Sequence, residues 1–441
     1  MHALLVPFGS AGDVYPFVAL GLELKRRGHR TTMITSEYFG DLARSAGFEF
    51  TASLSSEAYL DIVSDPDYWH PLRSTRLLLD RSVNPAIAVI YELLRAAYRP
   101  GESAVVAGTL ALGARVAHDK LGIPLTTVHL QPSAIRSCHE PAVHPGFGWM
   151  HRLPLRWRPL AFRLIDAIAD RLYARSLNAF RATLGLAPIT QLFGSWWHSP
   201  ESTLALFPPW YAAPQPDWPS QVKICGFPLY EAESDDSAAE LERYLSAGEA
   251  PIVFTSGSAM TSADDFFAAS SEACRLLGRR ALLVTRFTRQ LPPRLPPGVS
   301  HLSYVPFSRL LPRAAAFVHH GGIGTVAQAL RAGVPQLIAP CCYDQHDNAA
   351  HLHSLGVGVT LARNQYTATR VAAELGALLA DLTLQRRCRE LATRFVEGEG
   401  DPVAQAADAI ERYWSERRKL DRGASRVPSS RGSAASAPTA A

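Results

Sequence analysis

Along the first forty residues an apolar run, ALLVPF, gives way to a glycine turn, GSAGD. A stretch with helical spacing follows, YPFVALGLELKRRGH, and then a second apolar run, RTTMIT. Short continuous apolar runs separated by a helix-length segment predict buried parallel strands joined through a helix, a β-turn-α-β unit. The alternation continues as AVVAG, LALGARVAHDKLG and PLTTVHL. It restarts at residue 251 with PIVFTSGS, a helix-like ADDFFAASSEACRLLG and the strands RALLVT, VSHLSYV and AAAFVHH, followed by the helix GTVAQALRAG and the strand PQLIAP. Two doubly wound α/β halves are the economical reading. Between them CGFPLYEAESDDSAAELERYL loses its apolar period and turns acidic, as a linker does. The expected organisation is an N-terminal domain over 1–215, a linker over 216–240, a C-terminal domain over 241–400, a helix over 401–418 and a Ser/Ala/Pro-rich tail over 419–441. That tail has no apolar face, so it is expected to be disordered.

With 441 residues the chain exceeds one core of ordinary size, which agrees with two domains of about 200 residues each. A net charge of +4 is spread along the chain, so nothing in it calls for nucleic acid as a partner. The six cysteines include no CxxC pair, and a reduced, cytoplasmic setting is expected. MHALLVPFGSAGD has no basic leader and reaches glycine after a few apolar residues, which reads as a buried first strand and not as a signal peptide. No run of about 18 uninterrupted apolar residues is present to span a bilayer.

Residues 314–349, AAAFVHHGGIGTVAQALRAGVPQLIAPCCYDQHDNA, carry the densest chemistry. A strand running into GGIGT and then a helix sets free backbone amides and a positive helix end at the carboxyl edge of a sheet, where anions bind. The spacing is neither GxxxxGK[ST] nor GxGxxG and brings no lysine, which argues against a P-loop kinase and a dinucleotide oxidoreductase. The alternative is a plain turn with a satisfied histidine. Some twenty residues later Asp344 and Gln345 pair a carboxylate with a carboxamide, a natural grip for vicinal hydroxyls. Diphosphate and hydroxyls together describe a nucleotide sugar.

The HHGGIGT–YDQHDN segment resembles the donor-binding signature of family 1 glycosyltransferases, and VPFGSAGDVYPFVALGLELKRRGH resembles the acceptor-side N-terminus of their bacterial and sterol-type branch. YVPFSRLLPRAAAFVHHGG also resembles the family's segment before the HGG motif, and the likeness reaches to about residue 415. Within the family, MHALLVPFGSAGDVYPF, GTLALGARVAHDKLGIP, WWHSPESTLALFPPWYAAPQPDWP and GFPLYE are similar to the branch that rhamnosylates 3-(3-hydroxyalkanoyloxy)alkanoates in rhamnolipid synthesis. The chain departs from that branch in reading HHGG for HPGG and in its serine-rich tail.

The resemblance implies a GT-B fold, two Rossmann-like domains facing each other across a cleft, with the C-terminal helix returning to the first. It implies nucleobase contacts at Tyr304 and Val305 and a diphosphate site at His319, Gly322, Gly324 and Thr325, joined by Gly257 and Ser258 of FTSGS. His320 stands open between phosphate contact and packing. Asp344 and Gln345 take the sugar hydroxyls, and the donor is expected to be dTDP-L-rhamnose, with no further cofactor and no metal. Asp13 is the implied catalytic base, which its ordinary carboxylate pKa of about 4 would keep ionised at neutral pH; as an alternative, Asp13 caps the first helix. His319 is implied to stabilise the leaving diphosphate, and inversion at the anomeric carbon follows from attack opposite it. Ser10, Gly12 and His129 are expected on the acceptor side. Asp264 and Asp265 read as capping a helix, and the acids near 235 as solvated linker charge.

The stretch from Trp149 to Arg181 mixes Trp149, Trp157, Leu160, Leu164 and Ile168 with Arg152, Arg156, Arg163 and Arg171. It is basic and amphipathic, so it either lies on the anionic cytoplasmic face of a membrane or packs on the first domain with its arginines in solvent. The expected acceptor is lipid-like. A UDP-hexose transferase acting on a sterol, macrolide or other apolar aglycone is the second reading, and a silent nucleotide-sugar-binding partner is a third.

Overall fold

The computed structural model describes residues 1–231, 238–398 and 400–424. Two parallel sheets build it. In the first, β1 (His2–Val6), β2 (Arg30–Ser36), β3 (Glu49–Leu54), β4 (Ser103–Gly108), β5 (Leu125–His129), β6 (Thr203–Ala205) and β7 (Val222–Ile224) lie in the order β3-β2-β1-β4-β5-β6-β7. The second holds β8 (Ile252–Thr255), β9 (Ala281–Val284), β10 (Val299–Leu302), β11 (Ala316–His319), β12 (Gln336–Ile338) and β13 (Gly358–Thr360) in the order β10-β9-β8-β11-β12-β13. Five helices matter for the site: α1 (Ala11–Arg26), α2 (Arg158–Tyr173), α3 (Ile323–Ala332), α4 (Gln345–Ser354) and α5 (Pro402–Ala424).

Strand order reverses beside β1 and β4 in one sheet and beside β8 and β11 in the other. Those are the points where doubly wound sheets leave a crevice at the carboxyl ends of their strands. The central strands run apolar without alternation because helices cover both faces: Leu4, Leu5 and Val6 of β1 and Val253 and Phe254 of β8 are fully buried. One continuous cluster of buried side chains includes Leu5 and Phe17 of the first half and Phe254 and Val318 of the second.

Several boundaries differ from expectation. β7 pairs with β6, so the first domain extends past residue 215; strand pairing decided this, and a three-residue strand leaves little periodicity to read. Residues 238–240 open the helix Ala238–Ser246 instead of ending the linker, and the acids near 235 lie outside the described residues. α1 begins at Ala11, four residues before the expected start at Tyr15, so the GSAGD turn is half helix. Asp264 and Asp265 do not cap their helix: the N-cap of Asp264–Leu277 is Ala263, without a side-chain cap bond, and the two acids fall in the first turn, where they meet the positive helix end. The last helix continues to Ala424, past the expected end at 418, and residues 425–441 of the expected tail lie outside the described residues.

α5 lies on α1. Arg27 Nη1 donates to Asp408 Oδ1 at 2.6 Å and to Glu411 Oε2 at 2.7 Å, and His29 Nε2 meets Glu411 Oε1 at 2.6 Å. Surface ion pairs contribute about 0–1 kcal/mol each. Burial of Ala406, Ala407 and Ile410 beneath the helix therefore does at least as much to hold it, at about 25 cal/mol per Å² of apolar surface. No helix among the described residues is long and apolar enough to cross a membrane.

Candidate active site

The chain leaves β1 through Phe8 and turns at Gly9, whose φ of +133° is a conformation that residues with a Cβ rarely adopt. A Cβ there would also stand 2.3 Å from Asp13 Oδ2. Ser10, in extended conformation, is the N-cap of α1, and Asp13 is its third residue. The Asp13 carboxylate reaches back: Oδ2 accepts from Ser10 N at 2.7 Å and from Ser10 Oγ at 3.1 Å. The capping reading therefore holds, and the same carboxylate lines the space between the domains, where a base would have to stand. Burial raises it to about 6 against the pull of those hydrogen bonds.

Across that space, β11 ends at His319 and the chain passes through His320 into α3, whose N-cap is Gly322. The first-turn amides of α3 have no intrahelical acceptor. A Cβ built at Gly324 would lie 4.0 Å from Gly12 Cα, so the starts of α1 and α3 meet face to face. Two positive helix ends converge on one volume.

Of the two histidines, His320 lines the cleft and His319, the one expected there, does not. His319 is fully buried: its Nδ1 accepts from Gly321 N at 3.0 Å, and its Nε2 is 3.0 Å from Gln336 Oε1 on the neighbouring β12. With both ring nitrogens engaged and burial lowering it to about 3, His319 holds the turn and does not line the cleft. His320 does line it. The ring is seated between two glycines, since a Cβ at Gly257 would come within 2.7 Å of it and one at Gly322 within 2.5 Å. Burial lowers it to about 4, so it is neutral at physiological pH, and its Nδ1 is buried with no partner among the described residues. Strand alternation supplies the reason: adjacent residues point to opposite sides, and only one of two neighbours can face the ligand.

Asp344 precedes α4. Its Oδ2 accepts from Asn348 Nδ2 at 2.6 Å, and burial with the nearby Asp13 charge raises it to about 7. Gln345 lines the cleft, but its oxygen accepts from Cys341 N at 2.7 Å and Cys342 N at 3.3 Å. Its amide NH₂ is thus the group left for a ligand. The preceding Tyr343 holds φ at +55° and donates from its hydroxyl to Tyr68 O at 2.8 Å. Asp347 Oδ1 accepts from Val143 N at 2.8 Å, and Asn348 Oδ1 accepts from Tyr211 OH at 3.1 Å. These three bonds pin the start of α4 to the first domain.

The cleft these groups enclose has a volume of about 780 Å³. Its C-terminal wall is polar: Ser258, His320, Thr325, Asp344 and Gln345. Its N-terminal chamber is apolar and aromatic, with Leu110, Met150, Phe162, Ile165, Tyr173 and Trp197. Ser10, Gly12 and Asp13 sit where the two meet. Gly257, Gly322, Gly324, Tyr304 and Val305 also line it. His129 does not. It is fully buried at the end of β5, with Nδ1 2.8 Å from Thr109 Oγ1 and Nε2 2.7 Å from His198 Nδ1, so its place on the acceptor side is withdrawn.

Three groups went unread in the sequence. Arg286 follows β9 and lies over the Tyr304 ring at 5.4 Å. Tyr15 meets Tyr230 edge to face at 5.5 Å. Gln328, one turn beyond Thr325, lines the cleft with a buried Oε1 that has no partner among the described residues. Gln328 left a signal in its helical spacing from Gly324 and Thr325, and Tyr15 lies within the GSAGDVYPF segment. Among the described residues no group of three or more His, Cys, Asp or Glu stands together as a metal site would need.

Residues 3–139 match the glycosyltransferase family 28 N-terminal domain, and residues 282–406 match the C-terminal domain of erythromycin biosynthesis protein CIII-like proteins. The chain is 31% identical over 432 residues to O-mycaminosyltylonolide 6-deoxyallosyltransferase of Streptomyces fradiae, covering 95% of this chain and 98% of that protein. It is 29% identical to glycosyltransferase GtfC of Amycolatopsis orientalis, covering 94% of this chain and 99% of that one. The chain belongs to the nucleotide-sugar-dependent glycosyltransferases of two-domain GT-B architecture. Its fold is that of the kitacinnamycin glycotransferase (TM-score 0.69, 23% identity, 94% of this chain and 99% of that one). It is also that of the spinosyn rhamnosyltransferase SpnG complexed with thymidine diphosphate (TM-score 0.66, 19% identity, 92% and 99%).

Proposed function

We propose that this glycosyltransferase moves L-rhamnose from dTDP-L-rhamnose onto the hydroxyl of an apolar, lipid-like acceptor such as a 3-(3-hydroxyalkanoyloxy)alkanoate, with inversion and without a metal. The observation that carries the reading is the division of the cleft. Anion-binding groups line one wall, hydrocarbon and rings line the other, and Asp13 stands at the seam. The diphosphate lies against the α3 start, Ser258, Thr325 and His320, and the nucleobase lies against Tyr304 and Val305. Asp344 and the Gln345 amide receive the sugar hydroxyls.

The acceptor oxygen attacks the anomeric carbon from the chamber side, and its proton passes to Asp13. The bond from that carbon to the diphosphate oxygen breaks, and the electron pair leaves with the diphosphate. The first-turn amides of α3 and an N–H of neutral His320 meet the charge that grows there. One observation favours the second reading, a hexosyltransferase acting on a macrolide-type aglycone: a relative named for action on O-mycaminosyltylonolide spans nearly the whole chain.

A donor and acceptor panel tests the choice. dTDP-L-rhamnose and UDP-glucose are each offered with a hydroxyalkanoate dimer and with a macrolide aglycone, and product mass is read. The proposal expects a deoxyhexose adduct of the dimer. Transfer of hexose from UDP-glucose to the macrolide alone would establish the second reading in its place.

A further inference from the structure

α2 has two apolar faces. Phe162, Ile165 and Tyr173 turn inward and wall the apolar chamber. On the opposite side Leu160, Leu164, Ile168 and Leu172 recur every four residues and are 58%, 64%, 53% and 63% exposed. They form one outward stripe about 18 Å long. Trp149, Leu155 and Trp157, just before the helix, are also exposed. Soluble surfaces carry single apolar side chains routinely, but a contiguous row marks a surface that is covered in use.

The charges around the stripe identify what covers it. Both acids of α2 face inward. Asp166 is buried and accepts from Arg136 Nη1 at 2.6 Å, while Asp170 accepts from Gln191 N at 2.6 Å and Leu192 N at 2.9 Å. Arg163 and Arg171 of α2, with Arg152 and Arg156 before it and Arg175 just after it, are all exposed, and none is in an ion pair among the described residues. An apolar stripe bordered by guanidinium groups, with its carboxylates withdrawn, complements a surface that is hydrocarbon within and anionic at its rim.

We propose that the outer face of α2 seats the protein on an anionic lipid surface, so that the helix separating the chamber from the outside is also the one that lies on the membrane. The interaction stands apart from the sugar-transfer reading, which supplies only the role of the chamber behind the helix. An apolar acceptor dissolved in the lipid then enters beside α2 without crossing water.

The test uses the full chain and two kinds of vesicle, phosphatidylcholine with phosphatidylglycerol and phosphatidylcholine alone, read by co-sedimentation. TDP binding is measured in parallel as a check on the cleft. The parent chain should bind the anionic vesicles and release from them at high salt. Leu164→Ser with Ile168→Ser, and separately Arg163→Gln with Arg171→Gln, should lower the bound-to-free ratio by about tenfold or more, with TDP affinity unchanged. If the serine pair loses TDP binding as well, the glutamine pair, which removes no buried contact, decides. Absence of binding by the parent, or equal binding by the variants, overturns the proposal. So does self-association of the parent in sedimentation velocity that the same substitutions abolish, because the stripe would then belong to a second copy. Either result leaves the sugar-transfer reading to its own panel.

Discussion

Replacing Asp13 by asparagine separates what the carboxylate does for the reaction from what it costs the fold. The asparagine oxygen can still accept from Ser10 N and Ser10 Oγ, which stand 2.7 and 3.1 Å from the native carboxylate, so α1 stays capped. The charge disappears, and burial of that charge is what raises the carboxyl from 3.8 to about 6. Two units at about 1.36 kcal/mol each are on the order of 3 kcal/mol withheld from the folded state once the group ionises. Because the folded pKa lies above the unfolded one, the native chain keeps this stability below about pH 4 and loses it as pH rises through about 6. The variant should therefore exceed its parent by about 3 kcal/mol at pH 7.5, by about half that at pH 5 and by little at pH 4. Paired denaturant melts of the ligand-free protein at those pH values measure the difference. Turnover should move the other way, falling by about 100-fold or more while TDP affinity holds within about twofold. Stabilities that match at every pH would refute the desolvation argument, and near-normal turnover would refute the assignment of the base.

Substituting each histidine should separate their duties. His320→Ala should weaken TDP binding by about tenfold or more, the scale of a hydrogen bond to a charged group. His319→Ala should instead lower the melting temperature by orphaning Gly321 N and Gln336, with a smaller effect on TDP affinity; the reverse pattern in calorimetry would restore the diphosphate role to His319. Turnover should rise with pH through about 6 as Asp13 ionises and level off above it, and a rate that falls across that range would contradict a carboxylate base. Excess EDTA should leave activity close to that with added magnesium, since under the proposed function the amides of α3 and His320 take the charge of the leaving diphosphate. Loss in chelator with recovery on adding magnesium or manganese would point to a metal on Asp344 and Asp347, and would withdraw Asp344 from the sugar hydroxyls.

Much of the fold was legible because parallel strands buried on both faces write themselves as continuous apolar runs. The turns that follow them carry glycines where no Cβ fits, as at Gly9, Gly257 and Gly322. The convergence of GSAGD and HHGGIGT could be placed only through resemblance; that the two helix starts come close enough for Gly324 to approach Gly12 is a matter of domain docking, which no local pattern encodes. Which histidine faces the ligand was not legible, since it depends on where β11 ends relative to the pleat. His129 misled for a similar reason: a histidine at a strand end near a cleft has the same local sequence whether it points into the cleft or, as here, toward His198. Arg286 reaches the cleft from a segment with no motif of its own, whereas Tyr15 sits inside the VPFGSAGDVYPF segment, where nothing in the local spacing sets it apart from its neighbours.

The central claim is that the leaving diphosphate lies at the start of α3 against His320, facing Asp13 across the cleft. A crystal structure of the chain with thymidine diphosphate tests it most directly. The account predicts phosphate oxygens within hydrogen-bond reach of a His320 ring nitrogen and of the backbone amides between Gly322 and Thr325, with the terminal phosphate turned toward Asp13. A diphosphate seated elsewhere in the cleft, with His320 unliganded, would contradict it.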